Sequence, residues 1–328
     1  MPTIDTDAQV ARMRERIVRP ATREILITRV SGSAQEADLQ RPVNCGGLGR
    51  VRHFRRSTAR GWPENFLPID PAASALGLPP AAEMEAQVFQ NAACAWRCWY
   101  CYVPFELLGG DERHAEWVTA DELVDRYARL EDRPPILDLS GGSPDLVPEW
   151  AVWTAEALLK RGLEDEVYLW SDDNLSTDLT SRTLTKAQWE TLRSVHYGKV
   201  CCIKGFDAES FAFNTGAHPE EFNRQFDRLA AYVSKGVALY AYVTLTGPDP
   251  QSAAREVPIL VERLEQAAPG ITRRTVPLRI ELFGPTLARR TKIDRDIALA
   301  TQEQAIRTWN DAVQSNSEAG AQSIEVTY

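Results

Sequence analysis

The sequence predicts an α/β fold built on a parallel sheet. Six short apolar runs recur from about residue 85, "AQVFQNA" (86–92), "ILDLSGG" (136–142), "VYLWSD" (167–172), "KVCCIKGF" (199–206), "ALYAYVTLT" (238–246) and "VPLRIELFG" (276–284). Runs this apolar suit strands covered on both faces, as parallel strands are. Helical patterns fill the gaps between them. A third observation is composition: 44% of the 328 residues are hydrophobic, enough for one large α/β domain or two ordinary ones.

Taken in chain order, residues 1–84 read as an Arg- and Pro-rich extension. Residues 1–60 hold twelve Arg against six acidic residues, and "RPVNCGGLGRVRHFRRSTAR" (41–60) has six Arg and no acid. The next twenty residues contain five prolines and predict irregular covering structure. The helix "TADELVDRYARL" is signalled by Thr119 three residues before Glu122, a capping box. "PEWAVWTAEALLKRG" opens at Pro148 and closes at Gly162. In "HPEEFNRQFDRLAAYVSKG" Phe222, Phe226, Leu229 and Val233 share a stripe that ends before Gly236. A last helix is expected near 301–315. Six β-then-α units in series admit two architectures, a complete or open barrel and a doubly wound sheet. Both gather ligands at the C-terminal ends of their strands.

Several classes are disfavoured. No run reaches the length of a membrane span, and the N-terminus lacks the apolar core of a signal peptide, so a cytoplasmic protein is expected. Net charge is −9, which opposes general nucleic-acid binding. Six cysteines in such a chain point to metal or catalysis before disulfides.

Three of those cysteines fall in "NAACAWRCWYCYVP", where Cys94, Cys98 and Cys101 are spaced C-x3-C-x2-C at the end of the first expected strand. A structural zinc site is normally closed by four ligands. Here the nearest histidine, His114, lies thirteen residues past Cys101, and Cys201 and Cys202 are adjacent, a poor chelate. A four-iron cluster usually takes four cysteines, so three leave one iron open to a small molecule. The alternatives are inert buried thiols or a zinc knuckle.

This motif, with aromatic Tyr100 directly before its last cysteine, resembles that of the radical S-adenosylmethionine (SAM) superfamily. The resemblance covers roughly residues 85–285 and implies a partial (β/α)6 TIM-type barrel, with residues 286–328 as a C-terminal helical segment. It implies that Cys94, Cys98 and Cys101 hold a [4Fe–4S] cluster, whose open iron binds the methionyl end of SAM. Reductive cleavage would then yield a 5′-deoxyadenosyl radical that abstracts hydrogen from substrate. "LSGGSPDL" is similar to the family's Gly-Gly-Glu-Pro loop: Gly141 and Gly142 would let backbone approach the SAM amino group, and Ser143 departs from the family's Glu. "WSDDNL" occupies the place of a SAM-contacting turn, which offers Asp172, Asp173 or Asn174; a helix cap or polar turn is the other reading. "CCIKGFD" resembles a stretch of the glycyl-radical activating enzymes, which would pair Lys204 with the SAM carboxylate; Cys202 stands where those enzymes have Asp. Thr244, Thr246 and Glu281 are weaker candidates for ribose or adenine contacts, and Trp96 and Trp99 for shielding the cluster.

The resemblance also implies a low-potential electron donor such as flavodoxin or ferredoxin. A small-molecule substrate is favoured over a glycyl-radical protein partner. Alternate residues of a strand face one way, so Arg50 and Arg52 are candidates for a fork that binds a phosphate or carboxylate of that substrate. The competing reading is a basic segment paired with the acidic barrel exterior. Cys45 is either a hydrogen donor or an inert thiol. A reading of another class is a metal-stabilised protein that binds nucleic acid through its Arg-rich arm.

Overall fold

A computed structural model of the chain describes residues 3–322, with side chains described to residue 316. Ten strands are present among the described residues: β1 (Val18–Arg19), β2 (Glu24–Thr28), β3 (Gly49–Arg55), β4 (Glu83–Phe89), β5 (Ala115–Thr119), β6 (Ile136–Leu139), β7 (Tyr168–Asp173), β8 (Tyr197–Lys204), β9 (Ala238–Thr244) and β10 (Thr275–Leu278). All six expected strands form, as β4 and β6–β10. They are parallel and lie in sequence order, β10-β9-β8-β7-β6-β4. A sequential order is singly wound, which selects the barrel over the doubly wound sheet.

The sheet is curled and open. β3 and β10 are its free edges, yet Arg52 on β3 senses Tyr242 on β9, five strands away. Every even-numbered position on these strands faces inward. Ala86, Ile136, Tyr168, Trp170, Val200, Cys202, Tyr242 and Val276 pack with Phe54 from β3 in one cluster. Its floor is the helix Ile69–Ala75 with Leu67, and the Tyr242 hydroxyl donates to the Leu67 carbonyl at 3.0 Å. The odd positions, among them Leu137, Leu169, Cys201, Ile203 and Val243, pack outward against helices in the larger core. There Trp150, Val152, Phe222 and Leu229 are buried at 3% exposure or less, the two-sided burial that makes these strands apolar throughout.

The helices carry the expected signals. Thr119 and Glu122 form a capping box on Ala120–Ala128. Helix Glu221–Val233 buries Phe222, Phe226 and Leu229 as its stripe predicts, while Val233 is 48% exposed because the stripe has turned away by the last turn. The last helix, Lys292–Gln322, is longer than the expected 301–315. Residues 323–328 of the expected C-terminal segment lie outside the described residues.

Residues before 85 are woven into the barrel. β3 pairs antiparallel with β4 from Gly49↔Phe89 to Arg55↔Glu83, so the expected boundary at 84 and 85 falls inside β4. β1 and β2 join β5 in a three-stranded antiparallel sheet. Helix Thr6–Ile17 buries Val10, Met13 and Ile17 in the main core. Several arginines of this region meet acids of the later chain, Arg14 with Glu149, Arg23 with Glu156, Arg29 with Glu116 and Arg41 with Glu85, while Arg56 pairs with Asp70 inside the extension itself. That pairing accounts for the charge asymmetry of the sequence. Among the described residues, no helix is long and apolar enough to cross a membrane.

Candidate cluster and cofactor site

The thiol loop leaves the C-terminal end of β4 and is fixed from three sides. From the helix Ala208–Thr215, carbonyls of Thr215 and Asn214 accept from Arg97 N (3.0 Å) and Trp99 N (3.1 Å). Asn214 Oδ1 also accepts from Trp99 Nε1 at 3.1 Å and from Thr246 Oγ1 at 2.7 Å. From the C-terminal segment, the Arg289 guanidinium donates to the carbonyls of Cys101 and Val103 and lies 3.9 Å from the Phe105 ring centre. From below, the loop after β6 meets it. Trp96 is 1% exposed against Phe211 and Trp99 is 3% exposed. Cys94 and Cys98 beside them are buried, and Cys101 is half-buried.

The loop after β6 is a tightly bonded strut. Ser143 is fully buried. Its Oγ accepts from Ala95 N at 3.2 Å and from Asn174 Nδ2 at 3.0 Å, and it lies 3.2 Å from Cys94 Sγ. Asn174 Nδ2 also donates to the Gly142 carbonyl at 3.0 Å. Asn91 completes the joint: Nδ2 donates to Ser143 O at 2.8 Å, and Oδ1 accepts from Ala93 N and Ser143 N. A Cβ at Gly142, whose φ is +71°, would fall 2.5 Å from the Ala93 carbonyl and collide with Asn91. At Gly141, φ +93°, it would fall 2.6 Å from Gln90 Oε1. The glycines are thus required by the loop's own packing against residues 90–93. Asn91 was missed in the sequence, where an Asn after a strand reads as an ordinary turn residue.

Adjacent strand residues divide between the two faces. Asp173 is wholly buried on the outer, helix-covered face, where Oδ2 accepts from Lys199 Nζ (2.9 Å) and Tyr232 OH (2.7 Å) and Oδ1 from Leu175 N (2.7 Å). Both its oxygens are hydrogen-bonded within the fold on that outer face, away from the lumen where SAM contact was expected. Strand alternation instead places Asp172 on the inner face, where Oδ2 accepts from Ser140 Oγ at 2.6 Å. Lys204 is also inward and 8% exposed. Its ammonium has no hydrogen-bond or ion-pair partner among the described residues. Burial disfavours its charge, but Cys202, Tyr100, Cys98 and Cys94 together hold its pKa well above the usual lysine range.

The thiols mirror this. Burial pushes Cys98 up to about 12, against the lowering effect of Lys204 and with Cys94 and Cys101 adding to the rise. Burial, then Cys94, also raises Cys101, while Arg289 and Lys204 oppose it. Cys98 and Cys101 therefore both feel Cys94 and the Lys204 cation. Among the described residues, no three His, Cys, Asp or Glu side chains are drawn together at metal-ligand spacing. The donor set nonetheless suits an iron–sulfur group: three thiols on one loop, two buried and one half-buried, with the Lys204 and Arg289 cations acting on them. The Tyr100 hydroxyl is buried without a hydrogen bond, near Thr244 and Cys98.

Other candidates fall elsewhere. Cys45 is buried in the main core, pushed up to about 12 by burial, which keeps it a neutral thiol. Cys201 faces outward and Cys202 inward beside Lys204. Thr246 is occupied by Asn214, and Glu281 is exposed and paired with Arg279 at 2.5 Å.

No family model matches the chain, and no curated protein matches it. Among solved structures it is similar to anSMEcpe with bound AdoMet, at 11% identity over 70% of this chain and 57% of that one, TM-score 0.45. It is similar to Streptococcus suis SuiB bound to S-adenosylmethionine, at 16% identity over 70% and 46%, TM-score 0.43. A third is TYW1 with a lysine-pyruvate adduct bound, at 12% identity over 72% and 76%, TM-score 0.40. The chain spans about half the length of the first two. The thiol loop and its surroundings, rather than these distant likenesses, carry the functional reading.

Proposed function

We propose that the protein is a radical SAM enzyme in which Cys94, Cys98 and Cys101 ligate a [4Fe–4S] cluster. The observation that carries this reading is the loop of three thiols at a strand's C-terminal end, held by Ser143, Asn214 and Arg289 beside the buried Lys204, with no further cysteine or histidine in residues 54–93 or 102–113 of the sequence. When bound, such a cluster supplies the electron that splits the SAM sulfonium and so yields the hydrogen-abstracting radical. The chain's own residues do the rest. Gly142, Ser143 and Asn174 fix the loop floor. Lys204, a buried cation without a hydrogen-bond or ion-pair partner among the described residues, is suited to the SAM carboxylate. Trp96 and Trp99 keep water out. A flavodoxin or ferredoxin is the proposed electron donor, in a reducing, cytoplasmic setting that keeps all six cysteines free.

A small-molecule substrate is preferred to a glycyl-radical protein partner, the activating-enzyme alternative suggested by the Lys204 stretch. A lumen closed below by Leu67 and Ile69 supports this. The nucleic-acid reading is disfavoured because the N-terminal arginines are largely committed to ion pairs. Iron and sulfide analysis after anaerobic reconstitution tests the proposal. Four irons per chain are expected, and loss of that iron when the three cysteines become alanine. One tightly bound zinc, or iron retained by the triple variant, would overturn it.

A further inference from the structure

Below the thiol loop the lumen contains four charged side chains that do not pair. The register sets Arg50, Val88, Asp138 and Trp170 side by side across β3, β4, β6 and β7. Arg52 lies two residues along β3 and Asp172 two along β7, on the same inner face. Asp138 is 0% exposed, and neither of its oxygens has a hydrogen-bond partner. Arg50 is 6% exposed: it donates to Tyr102 OH at 2.9 Å, and its Nε is buried without a partner. Among the described residues neither arginine has a carboxylate within ion-pair distance. Even so, Arg52 senses Asp138 and Asp172, and Asp138 senses both arginines.

Burying an unpartnered carboxyl costs free energy, and native chains rarely leave one so. Opposite charges gathered on one inner face without pairing suit a ligand that is polar at both ends. An anion alone would be attracted by the arginines but repelled by Asp172. A cation alone would meet the reverse. A groove lined by Gln35, Asp38, Leu39, Tyr102 and Phe283 reaches Arg50.

We propose that the lumen binds a small zwitterion of the amino-acid class, its carboxylate on Arg50 and Arg52 and its ammonium on Asp138 and Asp172. The guanidinium fork matches a carboxylate in two bonds. Asp138 and Asp172 disfavour each other's ionisation, and a bound ammonium relieves that. This names the substrate class for the proposed radical enzyme and rests on that reading. The pocket itself exists with or without the cluster.

Titration calorimetry on the reconstituted full chain, saturated with SAM, tests it. The probes are the twenty common L-amino acids in turn, then the α-keto acid and the primary amine matching the best binder. The amino acid should bind at least tenfold more tightly than either analogue, since each lacks one charged end. In Asp138→Asn/Asp172→Asn the amino acid and keto acid should bind alike. In Arg50→Gln/Arg52→Gln the amino acid and amine should bind alike. Binding of none of the twenty, or of the keto acid as tightly as the amino acid, overturns the inference, and wild-type protein alone decides this. A wild-type chain that takes up no iron but still discriminates the probes would sink the radical-enzyme reading and leave the zwitterion site standing.

Discussion

Ser143 Oγ lies 3.2 Å from Cys94 Sγ, so the glycine loop after β6 is joined directly to the first thiol of the motif. The same hydroxyl accepts from Ala95 N and Asn174 Nδ2. Ser143→Ala removes that acceptor from a dry site and should cost about 1–3 kcal/mol in urea unfolding of the cluster-free protein. Ser143→Glu, which restores the residue of the resembling family, has no room at a position of 0% exposure and should be the worse of the two. Equal midpoints for wild type and Ser143→Ala would show that the strut bears no load.

Gly142→Ala should reduce stability by more than about 2 kcal/mol, because φ is +71° and the new carbon meets the Ala93 backbone carbonyl. Gly162→Ala, with φ +65° and nothing within 4 Å, carries only the backbone strain and should be milder. Thermal melts of the two compare packing with strain. A milder effect at Gly142 would contradict the geometry.

The Cys98 thiol, pushed up to about 12 by burial, stays protonated at neutral pH before metal binds. Its alkylation by iodoacetamide in cluster-free protein, followed by peptide mass mapping, should rise about tenfold per pH unit well past pH 9. Lys204→Met removes the cation that lowers the value and should slow the reaction further. Linkage has the matching sign. A folded value above the ordinary 9.0 contributes stability that is present below pH 9 and lost as pH rises toward 12. A rate plateau near pH 9 would contradict the burial argument.

Arg289 ties the C-terminal segment to the carbonyls of Cys101 and Val103. Arg289→Gln should speed amide exchange of residues 99–103 by about tenfold or more while distant β9 amides stay protected, since the loop then opens locally. Unchanged exchange would remove Arg289 as a clamp.

Much of this architecture was legible in the sequence because its causes are local. Strands covered on both faces must be apolar throughout, so β4 and β6–β10 showed as runs. Thr119 with Glu122 announced a helix start through a bond spanning three residues. What was not legible depends on distance. β3 pairs with β4 across residues 56–82, which contain a helix of their own, and nothing near Arg50 reveals that partner. The thiol spacing pointed to a metal, but the bonds that hold the loop come from Asn214, Ser143 and Arg289, far apart in sequence. "WSDD" identified a polar strand end without its phase, and a shift of one residue exchanges lumen for helix layer. Asp173 therefore proved to be the partner of Lys199, and Asp172 the inward carboxylate.

The most direct test of the central claim is product analysis of the anaerobically reconstituted protein with SAM and dithionite. Formation of 5′-deoxyadenosine and methionine by the wild-type chain, and by none of the single variants Cys94→Ala, Cys98→Ala and Cys101→Ala, is the predicted result. Absence of 5′-deoxyadenosine from wild-type protein carrying a full complement of iron, or its formation by any of the three variants, would contradict the account.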